Sequence, residues 1–326
     1  MPENWDRAVG HFRQSLPSGI SDWIILAEAG AHGAIIGSLR DELSVAEVVV
    51  LGQDPPERLT SAAAQYARQV STGLLDFALA GADVRYGGQY QPGLAMLSEW
   101  PARRCRLCVD VWDENFAELF AEPPGDVTER CAAMAAKLRG KGLLTYTGRG
   151  NGQLEFDCSA SEWIIYSAAE DYDYTLPSGE IACLPGSVDG RADVDGWLVG
   201  TIPFGPKYGH IATGDLALSF RAGQITAVHG GRQDLCADVE RVLDRDPGLR
   251  AVGELGLGQS LAVRAARDLH PRGCMWHEKI LGLHLGLGAE LPETSDIRDR
   301  VTGHHVDVVF AAGSLSDGDG ETLLTW

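Results

Sequence analysis

The stretch from Trp276 to Phe310 gathers the side chains best suited to hold a metal ion. It reads W-H-E-K-I-L-G-L-H-L-G-L-G, then a polar loop, then G-H-H-V-D-V-V-F. His305 and Asp307 are two residues apart, so on a strand both point to one face. Val306, Val308 and Phe310 then point to the other face and can be buried. In the first run Glu278 and His284 have the same parity and share a face if the whole run is extended. Two imidazoles and two carboxylates on adjacent strands are a donor set for one divalent ion, or for two. The plain alternative is a hydrogen-bonded His305–Asp307 pair inside a sheet.

Those strands need a scaffold. At 326 residues the chain accommodates two domains. Over residues 1–140 strand-like and helix-like segments alternate. Trp5, Val9 and Phe12 form one helical stripe, and Asp22–Ala31 holds an apolar run. Ala46–Pro56 contains a continuous β-branched run closed by glycine and prolines, as in a buried parallel strand. Arg58–Ala80 reads as an alanine-rich helix, Cys105–Trp112 as a strand and Val127–Leu138 as a helix. This pattern predicts a small N-terminal α/β domain. From 141 to 326 short strand-like runs separated by turn signals predict a largely antiparallel, sheet-rich α+β domain. Leu235–Arg245 is its clear amphipathic helix, and Trp326 is expected to tuck into a sheet.

Composition removes several functional classes. A net charge of −19 disfavours nucleic acid and anionic membrane as partners, because phosphate would be repelled. No apolar run approaches the ~18 residues of a membrane span. No G-x-G-x-x-G follows a strand and no P-loop is present, so nucleotide binding lacks support. The seven cysteines are scattered, and Cys105-x-x-Cys108 lacks a second pair, which points to reduced thiols in a cytoplasmic protein. The first residues lack a basic region followed by an apolar one, so no signal peptide is expected.

Four motifs then occur in order: Leu176-Pro-Ser-Gly-Glu180, Gly253-Glu-Leu-Gly-Leu-Gly258, Glu278-Lys279 six residues before His284, and His305-x-Asp307. Over residues 140–326 this resembles the C-terminal domain of the thermophilic metallo-aminopeptidases (aminopeptidases T and S). It equally resembles their shorter relatives, which include 2,5-dihydroxypyridine 5,6-dioxygenase. The aminopeptidase resemblance implies two ions, Zn(II) or Co(II), held by residues matching Glu254, Glu278, His284, His305 and Asp307, with a bridging carboxylate. The dioxygenase resemblance implies one Fe(II) held by His284, His305 and Asp307, with positions left for dioxygen and a chelating phenolic substrate. Departures weigh against peptide hydrolysis. The aminopeptidases carry a tyrosine where this chain has Leu291, and no tyrosine follows Tyr208. The missing oxyanion donor is worth about 3–4 kcal/mol of barrier. The dioxygenase pattern has a gap as well, since no histidine lies between His32 and His210 to serve as its N-domain base.

The expectation is therefore an Fe(II) oxygenase of small aromatic or heteroaromatic substrates, with a two-metal hydrolase of amides or peptides as the alternative. Glu254 and Glu278 orient the imidazoles or bind a second ion, and Glu180 points into the site from its turn. Arg149 and His210 are candidates for substrate binding. Lys279 either orients a carboxylate or faces solvent, and His277 and His304 are expected to be peripheral. Trp163, Tyr166, Tyr172 and Tyr174 read as core or dimer surface. Relatives of this fold associate through the sheet-rich domain, so a homodimer is expected.

Overall fold

The stripe at the N-terminus becomes the helix Trp5–Gln14, which buries Trp5, Ala8, Val9 and Phe12. This computed structural model describes residues 4–66, 69, 71–77, 88–98, 104–108, 110–167, 174–267, 272–288 and 304–326. Tyr172, Leu291 and residues 78–80 lie outside them. The chain divides into two compact units, Met1–Thr128 with Ser167–Ser178, and Glu129–Tyr166 with Gly179–Trp326.

In the first unit, β1 (Asp22–Glu28), β2 (Val45–Leu51), β3 (Thr72–Asp76), β4 (Arg104–Leu107) and β8 (Tyr174–Leu176) form a parallel sheet in the order β2-β1-β3-β4-β8. The β-branched run of residues 46–51 pairs with β1 as its composition suggests. The helix expected over Arg58–Ala80 is shorter. It spans Pro56–Tyr66, and Thr72–Asp76 is instead a strand whose five residues are all buried. A strand buried on both faces carries no alternation, so the alanine-rich stretch before it masks the change of element. Glycine suits position 73, because a Cβ would lie 2.5 Å from the Trp23 ring.

The second unit holds two antiparallel sheets. One contains β5 (Leu143–Gly148), β6 (Gln153–Asp157), β10 (Ser187–Asp193), β12 (Ala217–Arg221), β13 (Gln224–His229), β17 (Gly313–Asp317) and β18 (Thr322–Thr325), in the order β13-β12-β10-β6-β5-β17-β18. The other contains β7 (Ile164–Tyr166), β9 (Glu180–Cys183), β11 (Gly196–Gly200), β14 (Val252–Gly258), β15 (Gly282–Gly288) and β16 (His305–Phe310), in the order β11-β16-β15-β14-β9-β7. Its central strands alternate leucine with glycine or a polar residue. Leu255, Leu257, Leu283 and Leu285 are buried on one face, each contributing roughly 1.5–3 kcal/mol by transfer from water. Leu198, Leu287 and Val306 of this sheet line an apolar seam with Leu216 and Leu218, and with Val239 and Leu243 of the helix Gln233–Arg245. Trp326 is buried, stacks on Tyr146 and donates its indole N–H to the Phe310 carbonyl. Among the described residues no helix is long and apolar enough to cross a membrane.

Candidate metal centre

The face opposite the leucines is polar. Register places Glu254 of β14 opposite Gly286, Gly256 opposite His284 of β15, and Asp307 and His305 of β16 opposite Gly286 and Gly288. Glu180 opens β9 opposite Gly258. Every bulky donor thus faces a glycine on the neighbouring strand. A Cβ at Gly256 would overlap the His284 ring, and one at Gly286 would lie 2.7 Å from the His305 ring and 2.8 Å from Glu254 Cβ. The glycines are the space the side chains fill.

The chain before β15 departs from expectation. Met275–Lys279 is a 3-10 helix rather than strand, so Glu278 and His284 do not share a face of one extended segment. The segment passes over Gly258, where a Cβ would overlap the backbone of Ile280 and Lys279. That close approach forces the chain to turn before β15 begins. Glu278 nevertheless reaches the cluster, its Oε1 2.9 Å from Lys279 Nζ.

Two overlapping donor groups result. Glu180, Glu254 and His284 form one, Glu254, His305 and Asp307 the other. In the first, His284 Nε2 lies 2.8 Å from Glu180 Oε1 and 3.5 Å from Glu254 Oε1. In the second, His305 Nε2 lies 2.8 Å from Asp307 Oδ1 and 3.7 Å from Glu254 Oε2. Neither group contains His284, His305 and Asp307 together; the Glu254 carboxylate joins them. His284 is 1% exposed, yet neither ring nitrogen has a partner at hydrogen-bonding geometry, and Asp307 Oδ2 is equally bare. Buried polar atoms are paired as a rule, so these unsatisfied atoms mark where a cation fits. Imidazole nitrogen and carboxylate oxygen suit Fe(II), Zn(II) or Co(II).

The electrostatics show the same strain. Burial, then the neighbouring Glu180 charge, pushes Glu254 up to about 6. Burial pushes Glu278 up to about 8, against the pull of Lys279. Glu180 goes the other way, because the Lys279 ammonium and His284 outweigh its burial. Asp307 beside it raises His305 to about 10, and in turn His305 holds Asp307 below the usual carboxylate range despite burial. His284 is also raised, since Glu180 outweighs burial.

The remaining sequence candidates fall elsewhere. Arg149 and His210 meet at Asp195, at 3.2 Å and 3.7 Å, and no contact among the described residues joins them to the six donors. His304 is exposed and pairs with Asp246 at 2.8 Å. His277 is fully buried between Trp276 and Trp197, with ring centroids 4.2 and 4.3 Å away. Trp276 precedes it in sequence, but Trp197 reaches it only in the fold. Lys279, also undecided from sequence, is buried and ion-paired to Glu180 and Glu278.

No family model and no curated protein matches this sequence. Among solved structures the chain is similar to 2,5-dihydroxypyridine dioxygenase from Pseudomonas putida KT2440, at a TM-score of 0.64 and 14% identity. The match covers 97% of this chain and 93% of that one. At that identity the likeness establishes the fold, a mixed α/β architecture with a sheet-rich C-terminal region.

Proposed function

We propose that the protein is a metal-dependent oxidoreductase, a mononuclear non-haem Fe(II) dioxygenase acting on a small aromatic or heteroaromatic substrate. The observation that carries this reading is the buried cluster of imidazoles and carboxylates on β14, β15 and β16, in which both His284 ring nitrogens and Asp307 Oδ2 lack a hydrogen-bond partner. The fold shared with a dioxygenase supports it. His284, His305 and Asp307 would hold the ion, with Glu254 between them. When bound, Fe(II) supplies the positions at which dioxygen and a chelating hydroxyl substrate meet. The chain does the rest. His305 has the most exposed of these side chains, at 28%, whereas His284 is 1% exposed. Burial pushes Glu278 up to about 8, which suits it to exchange a proton with the substrate hydroxyl. His305 Nε2 and Asp307 Oδ1, 2.8 Å apart, converge as two atoms able to share one ion.

The test is anaerobic reconstitution with Fe(II), followed by oxygen-uptake measurements with dihydroxypyridines and catechols. Uptake dependent on iron and on an aromatic diol is expected; protein that retains no iron, or consumes no oxygen with any of them, refutes the proposal. A second reading, a two-metal hydrolase, draws on Glu254 belonging to both donor groups. Chromophore release from aminoacyl anilides by the Zn(II) or Co(II) protein would favour it. Substrate turnover, a homodimer and a cytoplasmic location remain parts of the proposal.

A further inference from the structure

The six donors surround a residue that the proposed chemistry does not use. Lys279 follows Glu278 in the 3-10 turn, and its ammonium is buried against Glu180 Oε2, with Glu278 Oε1 at 2.9 Å. The other Glu180 oxygen, Oε1, lies 2.8 Å from His284 Nε2 without hydrogen-bonding geometry. The cluster carries four carboxylates, Glu180, Glu254, Glu278 and Asp307, and this single buried amine. An ammonium and a divalent ion compete for the same oxygens and repel each other strongly where water is excluded.

We propose that Lys279 is a positioning residue that acts as a built-in cation: its ammonium takes the Glu180–Glu278 carboxylate pair and so limits the centre to one divalent ion. The inference rests on the metal-centre reading above and deepens it by assigning the nuclearity to one side chain. Glu254 belongs to both donor groups, but the group on the Glu180 side is already neutralised from within. One ion then remains, held by His284, His305 and Asp307 with Glu254 between them. Removing the ammonium while keeping the length of the side chain, as in Lys279→Met, frees two carboxylates and a vacated cation position.

The experiment is equilibrium metal binding of the full chain with Mn(II) and Co(II), read as stoichiometry by calorimetry and elemental analysis. Wild type should bind one equivalent, Lys279→Met two, and Lys279→Arg, which keeps the charge, one. Two equivalents on wild type, or one on Lys279→Met, would overturn the inference while leaving a metal centre in place. No metal on wild type would instead refute the metal-centre reading and this inference with it. If Lys279→Met does not fold, the Mn(II) paramagnetic resonance of wild type at two equivalents decides. An isolated-ion spectrum with the excess free is expected, and a spin-coupled pair overturns the inference.

Discussion

The two units differ in how densely they gather buried polar groups. In the first, His32 is buried but its Nε2 meets the Val111 carbonyl at 3.0 Å, and burial lowers its affinity for a proton, so it sits neutral inside the fold. Asp113 likewise accepts from the backbone N–H groups of Ala34 and Ile35 at the start of the helix Gly33–Glu42. His32 Nδ1 has no partner, yet no group of metal-ligating side chains gathers around it among the described residues. In the second unit, four carboxylates and two imidazoles crowd one sheet face, and several of their buried atoms lack partners. A fold does not concentrate like charges where water is excluded unless something of opposite sign offsets them. The difference is one of density, and a dense buried cluster of titratable groups is the place to seek a functional site.

The sharpest way to break this comparison is to remove a donor. His284→Ala and His305→Ala are each expected to lower divalent-metal affinity by more than ~100-fold, beyond the loss typical of outer partners; an unchanged metal content by elemental analysis would put the site elsewhere. The matching operation in the first unit is Phe12→Ala. Phe12 is fully buried against Phe77, Phe116 and Phe120, and its loss should cost about 3–5 kcal/mol of stability with metal stoichiometry intact. Chemical denaturation of the metal-free protein measures the first effect and calorimetry checks the second.

Gly256→Ala tests the glycine cradle. Its Cβ has no room beside His284, so a stability loss of roughly 1–3 kcal/mol from overpacking should accompany weaker metal binding. Normal metal binding by this variant would show that the ring can move without consequence. The smallest effect is a pair of opposite pH responses in metal-free protein. Asp307 raises His305 from its ordinary 6.5 to about 10, so its contribution is complete below about pH 6.5 and is lost as pH rises through about 10. His32 is lowered, so its contribution is present above about 6.5 and is lost as pH falls through its folded value. Thermal midpoints across pH 5–10 should show the alkaline loss shrink in His305→Ala and the acid loss shrink in His32→Gln. Identical profiles for wild type and both variants would erase the distinction between the units.

Much of this was readable from residue types. The Trp5-Val9-Phe12 stripe and the run into Leu51 name their elements because one element decides their pattern. His305-x-Asp307 was legible for the same reason, since period two on one strand fixes the shared face. The strand Thr72–Asp76 was not, because burial on both faces erases alternation. Glu278 was misplaced on a strand, because nothing local announces that Gly258 makes the backbone of residues 278–280 turn over it.

Sequence by itself determined which donors this protein owns, that they are imidazole and carboxylate, and that they sit on glycine-rich strands able to admit them. Tertiary structure alone decided how they are grouped. Glu180 and Lys279 are 99 residues apart, and Glu254 meets His284 on the next strand and His305 one strand beyond. The physical reason is that face and parity are local properties of a strand, whereas strand order and register decide which charges share one dry space.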